Sequence, residues 1–221
     1  MTVHRLLVLS LLFAAPAAAD VRFNLEMGAF SRAIPSVDLA DLAGETAFGA
    51  QDDQSPAALG LQLGFGVQVD ALEAGLDVGV GAGGLDITAV EDRYFGARDE
   101  IGGGTTLQAG LHGWWTPALG EDWQLLLGPR GVWHLATVAS GVGQATLTSI
   151  GLGGQLGFRW RSQVVSPTLD GHLQLVVDGL AHLPLSVAVR KSATDVVFES
   201  DAPEGVFGSW GLNLGYCLTF K

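Results

Sequence analysis

The side chains best suited to chemistry in this 221-residue sequence are four histidines, His112, His134, His172 and His182, and a small set of charges set among apolar residues. A metal or acid–base site would need several imidazoles at one height beside a carboxylate. Nothing in their spacing announces such a site, so buried polar packing is the expectation, with no metal and no cofactor. Glycine runs at 79–84 and 151–157 superficially resemble phosphate loops. Such loops end a strand and open a helix, whereas these glycines lie inside alternating segments. A single cysteine, Cys217, leaves no internal disulfide framework and no multi-cysteine metal site.

The charges read differently. Asp77, Arg130, Arg159, Asp170 and Asp178 all fall on the polar parity of alternating segments. An arginine enclosed by protein has to be neutralised and hydrogen-bonded. A turn centred between Val164 and Val165 would set Arg159 opposite Asp170, and Arg130 would meet Asp77 or Asp178 across the interior. These five residues are expected to form a structural network.

The elements that must position them are strands. Period-two alternation runs through nearly all of the chain after residue 19, placing apolar and polar residues on opposite faces. Eight segments carry it: 20–29, 59–71, 74–83, 105–115, 123–137, 146–161, 168–183 and 206–220. The last is the clearest, with Trp210, Leu212, Leu214, Tyr216, Leu218 and Phe220 alternating with Gly211, Asn213, Gly215, Cys217 and Thr219. The polar faces are rich in Gly, Gln, Asp and His, and the Leu, Val and Trp faces are too broad to be the core of one small domain. The expected fold is therefore all-β: an antiparallel up-and-down transmembrane barrel of eight strands. Lipid satisfies no backbone hydrogen bond, so a closed sheet is required.

Composition agrees. Mean hydropathy is +0.34 with 48% hydrophobic residues, yet beyond the N-terminus no stretch reaches the roughly 18 to 20 apolar residues of a spanning helix. A formal net charge of −12 argues against nucleic acid or an anionic surface held by electrostatics. Residues 1–19 read as a secretory signal: a basic start ending at Arg5, an apolar stretch at 6–15 and small residues before Asp20. The barrel is then 20–221.

Aromatic spacing supplies a ruler. Trp123 and Trp133 are ten residues apart on one face, as are Trp210 and Phe220. At about 3.3 Å per residue and a tilt near 40°, ten residues span roughly 25 Å, the height between aromatic girdles. Trp115, Trp123, Trp133, Trp160 and Trp210 are assigned to those girdles. Connections alternate: short at 71–73, 116–122 and 162–167, longer at 30–57, 85–103 and 184–205, with a modest one at 138–145. Long extracellular loops and short periplasmic turns are expected. The first loop carries Asp38, Asp41, Glu45, Asp52 and Asp53 with one base, Arg32, and 36–44 suits a helical turn opened by Ser36 and closed by Gly44. Its acids suit weak binding of divalent cations. In the last loop the odd-position apolar pattern continues through Leu185, Val187 and Val189, which suggests a projecting hairpin returning through 196–198.

The C-terminal residues Asn213, Gly215, Leu218 and Phe220 resemble the assembly signal of bacterial outer-membrane barrels, with Lys221 as a departure after the aromatic residue. With the eight strands and loop rhythm, the chain resembles a small barrel of the OmpA/OmpX type without a peptidoglycan-binding domain. The resemblance implies a bacterial outer-membrane location, barrel-assembly machinery and lipopolysaccharide as partners, and a non-enzymatic role in adhesion, host contact or envelope integrity. Two alternatives stay open: a narrow channel or carrier of small apolar molecules, and an enzyme acting on lipid A. The last would need an outward or loop histidine at the outer rim.

Assembly should depend on the terminal strand. Phe220→Asp places a charge at the apolar boundary and is expected to prevent membrane insertion. Normal heat-modifiable migration of this variant in gel electrophoresis would contradict that.

Overall fold

The computed structural model describes residues 20–34, 37–45, 57–85, 90–96, 103–191 and 195–221. The strands are β1 (Val21–Ala33), β2 (Ala57–Val69), β3 (Leu72–Gly83), β4 (Gly103–Trp115), β5 (Trp123–Ser140), β6 (Gly143–Ser166), β7 (Leu169–Arg190), β8 (Val196–Ser200) and β9 (Phe207–Phe220). Each pairs antiparallel with its neighbours. Closure comes from β9, which lies between β7 and β1 and pairs with both. Eight strands thus form a closed transmembrane barrel, and β8 is appended to β7 outside the ring.

The alternation has the inverted sense that lipid demands. Leu59, Leu61 and Leu111 are 67–69% exposed while Gln108, His134 and Asp178 are buried, so apolar side chains cover the outside and polar ones fill the inside. At one end lie Asp20 and Lys221, the β2–β3 turn, the 116–122 link and the turn at 167–168. Asp70 adopts φ 55° in the first of these turns, a left-handed conformation that aspartate tolerates.

At the opposite end β5, β6 and β7 run to 18, 24 and 22 residues, against 12 to 14 for the other barrel strands. The modest loop expected at 138–145 is instead a tight turn, with Ser140 paired to Gly143. Its small polar residues read as loop, but Val138, Ala145 and Leu147 are buried and hold the ladder together.

A register shift lies between Thr148 and Ser149, opposite Pro184–Ser186. Because strand faces alternate every residue, one inserted residue exchanges them. Leu183 and Leu185 face outward, whereas Val187 and Val189 are buried inside. The apolar odd positions therefore do continue, but on the other face. The β7–β8 hairpin, with Val189 opposite Phe198, projects with its apolar residues turned inward, as in a water-soluble sheet.

That inward apolar surface is filled from the loops. A single helical turn, α1 (Leu39–Leu42), and a π-helical turn at Glu91–Phe95 pack Leu39, Ala40, Val90 and Tyr94 against Val138, Leu147, Val187 and Phe198. The cap of α1 is Asp38, whose Oδ1 accepts from the backbone of Ala40 (2.9 Å) and Asp41 (3.3 Å). The expected cap, Ser36, lies outside the described residues, and Gly44 follows the helix at φ 74°. Together these pieces form an apolar plug over one mouth of the barrel.

Candidate functional site

The lumen is organised around arginines, each anchored to acids on other strands. On β6, Arg159 Nη1 and Nη2 donate to Glu73 Oε2 (2.9 Å) and Oε1 (3.3 Å) on β3. Nη2 also reaches Glu26 Oε1 on β1 (3.3 Å), and Nε donates to Gln174 Oε1 on β7 (3.0 Å). Gln174 in turn donates to Glu26 Oε2 (3.1 Å). The guanidinium lies 5.4 Å from the ring centre of Trp114 on β4, a cation–π distance.

A second layer lies nearer the plug. Arg130 Nη2 donates to Asp77 Oδ1 (2.8 Å), and its Nε is 3.6 Å from Asp178. Arg32 holds Asp178 through both terminal nitrogens (2.9 and 3.0 Å) and donates to Ser209 (3.0 Å). His182 links Ser149 (3.0 Å) and Ser209 (2.8 Å) through its two nitrogens and stacks on Phe207. Charge-assisted bonds of this kind are strong because little water competes for them.

Glycines make room for these groups. A Cβ on Gly66 would sit 2.8 Å from Glu73 Oε1, one on Gly110 2.7 Å from Asp77 Oδ2, and one on Gly151 2.7 Å from the His182 ring. At these three glycines a neighbour's polar side chain lies where a side chain of the glycine position would be.

The predicted residues are distributed as follows. Arg130 reaches both Asp77 and Asp178. Arg159 and Asp170 do not meet: β6 continues to Ser166, with register shifts between Arg161 and Gln163 and between Val164 and Ser166, so Arg159 lies opposite Gln174 and Asp170 opposite Val164. Asp170 is paired instead with Lys221 Nζ at 2.6 Å. Asn213 faces inward and donates to Asp178 (3.3 Å), while Phe220 lies outward beside Phe23. Gly215 opposes Gly28 at a close approach of β9 and β1, and Leu218 is partly exposed.

Trp115, Trp123, Trp133, Trp160 and Trp210 are all on the outer surface, 39–53% exposed, with Trp123 stacked on Trp160. Of the first-loop acids, Asp38 is engaged as a cap and in an ion pair with Arg93 (2.6 Å), so it is not a free carboxylate for cation bridging. Asp41 and Glu45 are exposed; Asp52 and Asp53 lie outside the described residues.

Sequence reasoning missed Glu26, Glu73, Arg32, Gln174 and Trp114 as members of the network. By alternation alone Glu73 and Arg32 fall in a connection and a loop, because the strands are longer than their clearest alternation. Glu26 and Gln174 sit on the polar parity, where nothing local assigns them a partner. Trp114 was legible, since adjacent tryptophans on a strand must face opposite sides.

In the plug, outside the strands, burial pushes the Tyr94 phenol up to about 12; its ring packs edge-on against Phe198 at 5.3 Å.

No family model matches the chain, and no curated protein matches it in sequence. Similar folds are found among solved structures. The outer membrane protein OprG from Pseudomonas aeruginosa superposes with a TM-score of 0.54 at 16% identity, covering 91% of this chain and 97% of that one. A major outer membrane protein from Thermus thermophilus gives 0.51 at 16% identity, covering 91% and 100%. The chain has the fold of the small outer-membrane barrels.

Two outcomes are expected. Arg159→Leu leaves Glu26 and Glu73 buried without their cation and should destabilise the barrel by about 3 to 5 kcal/mol; urea unfolding equal to the parent's would show that the contacts carry no stability. Free tyrosine ionises near 10. The unfolded chain therefore gains the phenolate first, and the Tyr94 contribution to the plug is lost as pH rises from about 10 towards 12. The absorbance difference between the parent and Tyr94→Phe should show a phenolate step near 12, and a step near 10 would contradict the burial.

Proposed function

We propose that this chain is a non-enzymatic integral protein of the bacterial outer membrane that works through its projecting sheet and loops, in adhesion, host contact or envelope integrity. In this reading the barrel is a filled, rigid support. The observation that carries it is the occupied axis. Arginines bridge the strands across the lumen, Trp114, Leu126 and Val176 are packed together inside it, and the apolar plug closes the mouth from which β5–β8 project.

Outer-membrane location rests on the girdled apolar surface, the closed eight-stranded fold and the signal-like residues 1–19. Lipopolysaccharide and neighbouring lipid are the surroundings such a belt fits. Assembly machinery would engage β9 through the pattern of Asn213, Gly215, Leu218 and Phe220.

A channel for small apolar molecules needs a continuous path, which the ion-paired layers and the plug interrupt. Chemistry on lipid A needs a polar catalytic group at the rim, whereas His112, His134, His172 and His182 are buried in the lumen. The purified barrel in planar bilayers is expected to show no steady conductance. Stable single-channel steps from the unmodified protein would favour the channel reading over this one.

A further inference from the structure

Among the described residues, the charges in the middle of the lumen do not balance. Glu26, Glu73, Asp77 and Asp178 face Arg32, Arg130 and Arg159, four acids against three guanidinium groups. Asp170 and Lys221 neutralise each other separately at the terminus-bearing end. An unmatched carboxylate is costly in its ionised form, so it either keeps a proton or is met by a further cation.

The surplus is concentrated where Glu26 and Glu73 share Arg159. One oxygen from each carboxylate and one ring nitrogen of His112 lie within 4.8 Å of one another. His112 stands out in this group. Its side chain is 1% exposed, with Nδ1 turned to Asp77 Oδ2, and Nε2 has no hydrogen-bond partner among the described residues. A buried ring nitrogen left without a partner is rare, since buried polar groups are nearly always bonded. The ring is held in place by stacking on Trp114 at 4.1 Å, and on the side of Nε2 the wall is Gly75, where a side chain would collide with it.

We propose that Glu26, Glu73 and His112 form a binding site for a divalent transition-metal ion of the zinc type. One imidazole nitrogen and two carboxylate oxygens suit such ions, whereas magnesium and calcium favour all-oxygen sets. His112 Nδ1 lies 3.6 Å from Asp77 Oδ2. A carboxylate behind a ligating histidine fixes its tautomer, and with Nδ1 turned to Asp77 the ligand atom is Nε2. Arg159 and the ion share the carboxylates, each of which offers about four lone-pair sites. Three protein ligands leave a fourth position for water. The inference does not depend on what the outer loops contact. Glu73 follows the β2–β3 turn by only a few residues, so the ion would enter from the terminus-bearing end, away from the plug.

The test uses the folded full chain in detergent micelles, incubated with Zn²⁺, washed with a weak chelator and assayed for metal by mass spectrometry. The parent is expected to retain about one zinc per chain, and Co²⁺ in its place should give visible d–d absorption bands. His112→Gln and Glu73→Gln should each lose the retained zinc, while His134→Gln and His172→Gln keep it. Heat-modifiable migration and circular dichroism establish that each variant is folded. If a variant does not fold, the Co²⁺ spectrum of the parent decides: bands shifted by an imidazole ligand support the site, and an aquo-ion spectrum overturns it. No retained zinc in the folded parent, or unchanged retention in folded His112→Gln, also overturns it.

Discussion

Arg159 is the contact on which the interior depends. It is 1% exposed and ties β6 to β3, β1 and β7 while lying against Trp114 of β4. An unpaired guanidinium in such a place would cost several kcal/mol, so the positions of Glu26, Glu73 and Gln174 are set by the need to compensate it. The remaining lumen obeys the same rule one layer up, where Arg130 and Arg32 share Asp178. Because these bonds run across the barrel, they resist flattening of the cross-section in a way that the strand ladders alone do not.

A second constraint is the change of solvent along the strands. Within the apolar belt the barrel is polar inside and greasy outside. Beyond the register shift opposite Pro184–Ser186 it is greasy inside and polar outside, and the buried surface there requires something to cover it. α1 and the Glu91–Phe95 turn supply that cover, with the Asp38–Arg93 pair joining the two pieces. The projecting sheet and the plug are therefore one unit, with the shift in β6–β7 at its base.

Glycine links the two constraints. An eight-stranded barrel leaves little interior volume, and long charged side chains fit only where a neighbouring strand lacks one. Gly66, Gly75, Gly110 and Gly151 provide that space for Glu73, His112, Asp77 and His182. At these four positions the space a side chain would take is occupied by a neighbour's polar group.

The sequence by itself determined the class of fold, because a period of two with an inverted polarity, repeated over eight segments, fits only a closed sheet in lipid. It also determined which parity faces inward, hence that Arg130, Arg159, Asp77 and Asp178 are interior. It could not determine height. Partner choice depends on register, and single-residue shifts near Gln163, Val165 and Leu185 are invisible to alternation; at Leu185 the apolar residues keep their odd parity while the faces exchange. That is why Arg159 meets Glu73 across the lumen and not Asp170 on the next strand. It is also why Val187 and Val189 line the plug and not the membrane. Only the tertiary structure brings together residues far apart in sequence, such as Glu26, Glu73 and Arg159, because their proximity is fixed by closure of the ring and not by any local pattern.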